Sequence, residues 1–273
     1  MRLEFYGVRG TFPGQGRAGT KIGVNTPCAR ITTRSGETII VDAGTGLRPL
    51  GNDLTAMRKT KAPLKVSLLL THFHLDHIFG LPFYGPLYLS GTAIDVYSWR
   101  EPEDTREILS RLSAAPLFPV PIETTPSKMA FTRIGEDGAV IGGARVTFCP
   151  LMHPQGCVAF RVEEDGKSIV FATDTEHPAE GLDERLAAFA RGASVFIYDA
   201  MYLPQEYLSG RQGWGPSTWE QGVRLARAAG VSRLVLSHFN PDHDDQAIRK
   251  MRRAAARQFH KTSAAAEGMK IKL

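Results

Sequence analysis

The chain of 273 residues has only three cysteines, Cys28, Cys149 and Cys157. An odd number at wide, uneven spacing gives neither a disulfide framework nor a CxxC metal knuckle. A reducing, cytoplasmic compartment is therefore expected. Long apolar runs are also missing, for nothing approaches the roughly 18 consecutive apolar residues that cross a bilayer. Met1-Arg2-Leu3-Glu4 lacks the apolar core of a secretory signal, so neither membrane insertion nor export by that route is expected. No internal repeat, low-complexity tract or linker-like shift in composition interrupts the chain. At 42% hydrophobic and 22% charged residues, a disordered or fibrous chain is excluded, and residues 1–273 are read as one domain with a substantial core. Excess charge of one sign is small, at net +5. Much of it sits in Arg249-Lys250, Arg252-Arg253, Arg257 and Lys261, read as the solvated face of a last helix rather than a grip on nucleic acid.

What the chain does have is a series of short apolar strands. Leu3 to Tyr6 opens the series. Cys28 to Thr33 and Thr38 to Val41 form a hairpin about Ser35-Gly36. Val66 to Leu70 is a continuous apolar run, as in a strand buried on both faces. Further strands are read at Arg145 to Cys149, Val158 to Val162, Ser168 to Ala172, Val195 to Tyr198 and Arg233 to Leu236. Helices are expected over Asp104 to Leu112, Leu182 to Ala190, Ser217 to Ala229 and Asp244 to Phe259. The third of these opens on Ser217-Thr218-Trp219-Glu220, a capping-box pattern. Strands early and strand–helix alternation late give an α/β (α+β) class, sheets covered by helices.

Gly14-Gln15-Gly16-Arg17-Ala18-Gly19 fits the dinucleotide pattern GxGxxG. That fingerprint needs a strand before it and a helix after it. Pro13 precedes it here and poor helix formers follow, so a surface loop is the better reading. A different cluster carries chemistry. Thr71-His72-Phe73-His74-Leu75-Asp76-His77 follows directly on the buried strand Val66 to Leu70. Three imidazoles and a carboxylate within six residues have no use in a core, where each would carry a desolvation cost. Imidazole and carboxylate together suit zinc and its first-row neighbours. The alternation of His72 and His74 sends two side chains one way, leaving Asp76 and His77 for a second site. Asp42, His153, Asp174, Asp199 and His238 each sit at or just past the end of a separate apolar strand.

HxHxDH, a later histidine before a proline, Thr173-Asp174-Thr175, and a histidine after an apolar strand resemble the metallo-β-lactamase superfamily over residues 2 to about 245. Gly7-Val8-Arg9-Gly10-Thr11, Asn25-Thr26, Asp42-Ala43-Gly44-Thr45-Gly46 and Trp214-Gly215-Pro216-Ser217-Thr218 look like the branch holding ribonuclease Z and the cyclic-phosphate phosphodiesterases. The resemblance implies an αββα sandwich with a dinuclear metal site at one edge. It assigns His72, His74 and His153 to a first ion and Asp76, His77 and His238 to a second, with Asp174 bridging. Asp76 is also counted among the catalytic residues. The ions would be zinc, with manganese or iron as alternatives, and a metal-bound hydroxide would be the nucleophile. Asp42 would support the HxHxDH loop by hydrogen bonds, with a turn-forming role before glycine as the alternative. Asp199, at its strand end, is read either as orienting a ligand histidine or as a helix cap or turn residue.

One position departs from that branch. Where it has a histidine before the Ser-Thr pair, in GHST, this chain has Pro216. Proline neither donates a proton nor binds phosphate through its side chain. His177, three residues after Asp174, is the leading substitute acid, and His243 is a weaker one. The tRNA-gripping arm of ribonuclease Z has no counterpart, since residues 91 to 147 read as a modest excursion with an acidic start. Phe79, Phe83, Tyr84, Tyr88 and Trp214 are read as core, with base stacking as the alternative. The expected activity is therefore hydrolysis of a small phosphodiester such as a cyclic nucleotide or cyclic phosphate, with nucleic acid and membrane partners not expected and a homodimer compatible with the resemblance. The alternatives are a metal-dependent hydrolase of an ester, lactone or thioester, and a metal-bound sensor without turnover.

Overall fold

The computed structural model describes residues 1–16, 20–58 and 63–273. The second half of the GxGxxG pattern, Arg17-Ala18-Gly19, lies outside the described residues, and Gly14 to Gly16 form neither strand nor helix. Strands β1 (Arg2–Gly7), β2 (Cys28–Thr32), β3 (Thr38–Val41), β4 (Leu64–Leu69), β5 (Thr92–Ser98) and β6 (Lys128–Arg133) pair side by side in chain order. Strands β7 (Ala139–Ile141), β8 (Ala144–Leu151), β9 (Cys157–Glu164), β10 (Lys167–Ala172), β11 (Val195–Asp199), β12 (Leu234–Ser237) and β13 (Thr262–Ala264) build a second sheet, also in chain order. The last strand, β14 (Lys270–Lys272), returns to the first sheet beside β1.

Side chains alternate across a strand, and that alternation sets the layers. Ile39 and Val41 of β3 face a core shared with Phe160, Phe171 and Ile197 of the second sheet. Ile40 between them points the other way, toward Leu47, Leu50 and Leu54 of the helix Leu47–Met57. On the far side, Leu186, Val223, Ile248 and Met251 bring the helices Glu184–Phe189, Trp219–Ala228 and Asp245–Gln258 onto the second sheet. The result is helix, sheet, sheet, helix, the sandwich the resemblance implies. Along Asp245–Gln258, Ile248, Met251 and Ala255 are buried while Arg249, Lys250, Arg253 and Arg257 are exposed, so the basic run is a solvated face. Among the described residues, no helix is long and apolar enough to cross a membrane.

Strand direction is what positions the site. β3 and β4 are parallel, and so are β10, β11 and β12. β8 and β10 are both antiparallel to β9 and therefore run the same way. The carboxyl ends of all these strands carry the polar residues singled out above.

Two local expectations need correction, and one helix is not among those expected. Residues 91 to 147 are more than an excursion, because β5 and β6 extend the first sheet by two parallel strands. β6 is a polar edge strand, which hides it in a hydropathy reading. The helix Leu47–Met57 contains Pro49 and Gly51, yet Pro49 falls in the first turn, where its missing N–H costs nothing. The capping box at Ser217 does not form. The helix starts at Trp219 with Thr218 at the cap and no side-chain cap bond.

Next to the β14 edge of the first sheet, β1 holds a buried charge. Glu4 of β1 stands opposite Arg30 of β2 on one side and Lys270 of β14 on the other, and pairs with both. Burial raises the Glu4 carboxyl's pKa, but its bonds to Lys270 and Arg30 outweigh that and hold it below the ordinary glutamate value. Glu4 therefore contributes stability above the unfolded carboxyl's pKa, which is lost as pH falls through the folded one. Glu4→Ala leaves Arg30 buried without its partner and is expected to cost about 3 kcal/mol in urea unfolding at pH 7, with the loss shrinking at acid pH. An unchanged midpoint would contradict this.

Candidate metal centre

Past β4 the chain leaves the sheet, and Leu75 to Ile78 close a single helical turn. That turn swings Asp76 and His77 away from the direction of His72 and His74. Two groups result. His72, His74 and His153 form one, and Asp76, His77, Asp174 and His238 form the other, with one donor atom from each member within 4.8 Å of the rest of its group. His153 Nε2 lies 3.1 Å from His74 Nδ1. Asp174 Oδ2 lies 2.7 Å from His77 Nε2 and 2.8 Å from His238 Nε2. Its other oxygen reaches toward the first group, 4.0 Å from His153 Nδ1. All seven expected ligands are thus brought together, with Asp174 between the groups.

Behind them stand two buried carboxylates. Asp42 Oδ1 accepts from the Thr71 backbone N–H and hydroxyl, both at 2.9 Å, and Oδ2 accepts from His77 Nδ1 at 2.8 Å. Thr71 Oγ1 in turn lies 3.1 Å from His72 Nδ1. One carboxylate therefore orients two imidazoles, His77 directly and His72 through a hydroxyl. Asp199 does the same for the other side. It accepts from the Asp174 backbone N–H at 2.9 Å and lies 3.0 Å from His238 Nδ1, while its Oδ1 accepts from the N–H groups of Met201 and Ser217. With Nδ1 engaged from behind, the Nε2 lone pairs of these imidazoles face inward.

The backbone is bent to hold this arrangement. Asp42, Asp174 and His238 all adopt positive φ, at 62°, 54° and 60°. Such angles are uncommon outside glycine and gather at functional sites. The loop Gly7–Thr11 is drawn over the centre by Val8, Gly10 and Phe239, and the Thr11 N–H donates to Asp76 Oδ2 at 2.7 Å. Gly10 must be glycine, because a Cβ there would lie 2.3 Å from His238 Cε1. Gly215 is held similarly, with φ 102° and a Cβ position 2.2 Å from His153 Nδ1.

The electrostatics call for cations. Asp42, Asp76, Asp174 and Asp199 converge here, and among the described residues their ion-pair partners are all histidines. Burial lowers the pKa of His72 and His153, so both are neutral at pH 7. Burial also opposes charge on His77 and His238, but the surrounding carboxylates outweigh it and hold both well above the ordinary value. Protons there supply positive charge that a metal would replace. His72 Nε2 and His153 Nδ1 are buried without a hydrogen-bond partner. Buried orphan nitrogens beside carboxylate oxygens, with no sulfur in either group, fit divalent ions of the zinc type.

His177 lies beside this centre rather than in either group. Its Nδ1 is 2.8 Å from Ser217 Oγ, which also accepts from the Tyr198 hydroxyl at 3.2 Å, and its ring packs 4.4 Å from that of Tyr207. Burial lowers its pKa. His243 pairs with Glu206 at 2.9 Å and belongs to neither group, and His260 is exposed. Tyr84 is core, whereas Phe79, Phe83 and Trp214 are exposed. Sequence reasoning missed three polar residues. Gln155 Oε1 lies 2.8 Å from His74 Nε2, Thr71 relays Asp42 to His72, and Glu176 accepts from the Tyr207 hydroxyl and the Gly213 and Gly215 N–H groups. Gln155's place two residues past His153, just before Gly156, was the available signal.

Asp42→Asn puts an amide where both oxygens accept. The variant is expected to bind Zn²⁺ roughly 10–100-fold more weakly in a chelator competition titration. Unchanged affinity would remove Asp42 from this supporting role.

Comparison with known proteins adds to this geometry. The model of a family described as the beta-lactamase superfamily domain matches residues 37–239. An uncharacterized protein of Mycobacterium tuberculosis is 29% identical, over 83% of this chain and 79% of its own. Ribonuclease BN of Cronobacter sakazakii is 25% identical, over 92% of this chain and 93% of its own. Among solved structures, a diphosphatase from the PhnP family superposes with a TM-score of 0.71 at 16% identity, covering 100% of this chain and 97% of that one. With the family's model covering most of the chain and its sandwich reproduced here, the protein belongs to the metallo-β-lactamase superfamily of hydrolases.

Proposed function

We propose that the protein hydrolyses a small phosphodiester with two divalent ions, held by His72, His74 and His153 and by Asp76, His77 and His238, with Asp174 shared. The observation that carries this reading is the pair of adjacent donor groups meeting at Asp174. Relatives named ribonuclease BN and ribonuclease Z, and a PhnP-family diphosphatase of the same fold, support phosphate ester chemistry. Bound ions of this kind supply Lewis acidity, which lowers the pKa of water and offsets charge on substrate oxygens.

The chain's own residues do the rest. Asp42 and Asp199 keep the ligand lone pairs aimed inward. Asp76 takes the Thr11 N–H, closing the Gly7–Thr11 loop over one side. His177 stands next to Ser217, and therefore one residue from Pro216, where the related branch has its histidine. Ser217 Oγ accepts from the Tyr198 hydroxyl and stands 2.8 Å from His177 Nδ1. In the protonated ring Nδ1–H donates to Ser217 Oγ, which leaves Nε2–H as the proton that would pass to a leaving oxygen. The lowered pKa of His177 makes the protonated ring the minor form at pH 7 but a readier proton donor, of use to a poor leaving group and needless for a good one. Pro216 favours the second reading, hydrolysis of a carboxylic ester, lactone or thioester at the same centre.

With Zn²⁺ or Mn²⁺, the protein is expected to cleave bis(p-nitrophenyl) phosphate, and His74→Ala is expected to abolish this. Cleavage of an aryl carboxylic ester with the phosphate diester left intact would favour the second reading. His177→Gln is expected to slow a cyclic nucleotide, with its alkoxide leaving group, by about 10²–10⁴-fold and the nitrophenyl diester by less than about tenfold. Equal losses on both would deny His177 the acid role.

A further inference from the structure

Among the large apolar side chains exposed on this protein, one group stands beside the metal centre in the chain. Four of them, Phe12, Leu75, Met152 and Trp214, are 69%, 65%, 41% and 58% exposed. Each is the immediate chain neighbour of a residue that touches the metal centre. Phe12 follows Thr11, whose N–H donates to Asp76. Leu75 stands between His74 and Asp76. Met152 precedes His153. Trp214 precedes Gly215, which lies against the His153 ring. Leu75 opens the helical turn Leu75–Ile78 and the other three lie on separate loops, so the four flank the centre from four separate segments of the chain.

Exposed apolar side chains cost little singly, but several of them flanking one polar site mark a binding surface. Two basic side chains border the same loops, and both lie over tryptophan rings. Arg100 sits 4.7 Å from the Trp99 centroid and Arg211 sits 4.4 Å from that of Trp214. Such stacked cations extend the aromatic surface. They do not form the row of free cations that tracks a polynucleotide backbone. The loop bearing Trp214 is held in place by Glu176, which accepts at 2.6 Å from both the Tyr207 hydroxyl and the Gly213 N–H.

We infer that the rim formed by Phe12, Leu75, Met152 and Trp214 selects phosphodiesters whose second ester arm is apolar or aromatic. This rests on the phosphodiester reading above. The anionic phosphoryl group lies toward the two donor groups, and the apolar arm lies across the rim, shedding water from both surfaces.

Two substrates with the same leaving group test it, p-nitrophenyl methyl phosphate and p-nitrophenyl benzyl phosphate. Wild-type kcat/KM is expected to favour the benzyl diester at least about tenfold, equivalent to about 1.4 kcal/mol. In Trp214→Ser and Leu75→Ser, that ratio is expected to fall below about threefold. Titration calorimetry with methylphosphonate and benzylphosphonate reads the same preference without turnover, so it judges the rim even if neither diester is cleaved. Failure to cleave either diester, with tight benzylphosphonate binding, would overturn the proposed reaction and leave the rim standing. Equal kcat/KM and equal binding for both arms would overturn the rim. So would variants that keep the preference but change the oligomeric state in sedimentation, because a second copy of the chain would then be what covers these residues.

Discussion

Four carboxylates pressed against five imidazoles, with no lysine or arginine among their ion-pair partners in the described residues, is the constraint on which the rest of the structure depends. Buried negative charge on that scale is costly unless it is paired. Protons on His77 and His238 pair part of it, and divalent ions would pair it more fully. The two sheets exist, in this sense, to hold strand ends at one edge where those charges meet. Parallel pairing of β3 with β4, and of β10, β11 and β12, delivers the side chains from the same direction.

The local cost of this gathering is visible in the backbone. Asp42, Asp174 and His238 sit at positive φ, and Gly10 and Gly215 leave no room for a Cβ beside ligand imidazoles. Stability is drawn from elsewhere. The central core spans both sheets, and the outer core packs helix against sheet around Leu47, Leu50 and Leu54. A rigid apolar body therefore supports a polar edge whose geometry is unfavourable by itself.

Much of this was legible in the chain. HxHxDH stands out because imidazoles so close together have no packing role, and Asp42, Asp174, Asp199 and His238 share one signature, a polar residue where an apolar strand ends. What escaped depends on contacts between distant residues. Gln155 meets His74 from 81 positions away, and Glu176 gathers the Tyr207 and Gly215 segments. Neither partnership leaves a local pattern. β6 was hidden by the polar alternation of an edge strand, and the first helix by Pro49 and Gly51. Ser217 looked like a helix cap, but its hydroxyl lies within bonding distance of His177 instead. There, a tertiary partner overrode a local motif.

The central claim is that two ions share Asp174. Anomalous scattering at the zinc edge, from crystals grown with Zn²⁺, tests it most directly. The account predicts two peaks, one among His72, His74 and His153 and one among Asp76, His77 and His238, with an Asp174 oxygen within coordinating distance of each. A single peak, or a pair that leaves Asp174 on one side only, would contradict it.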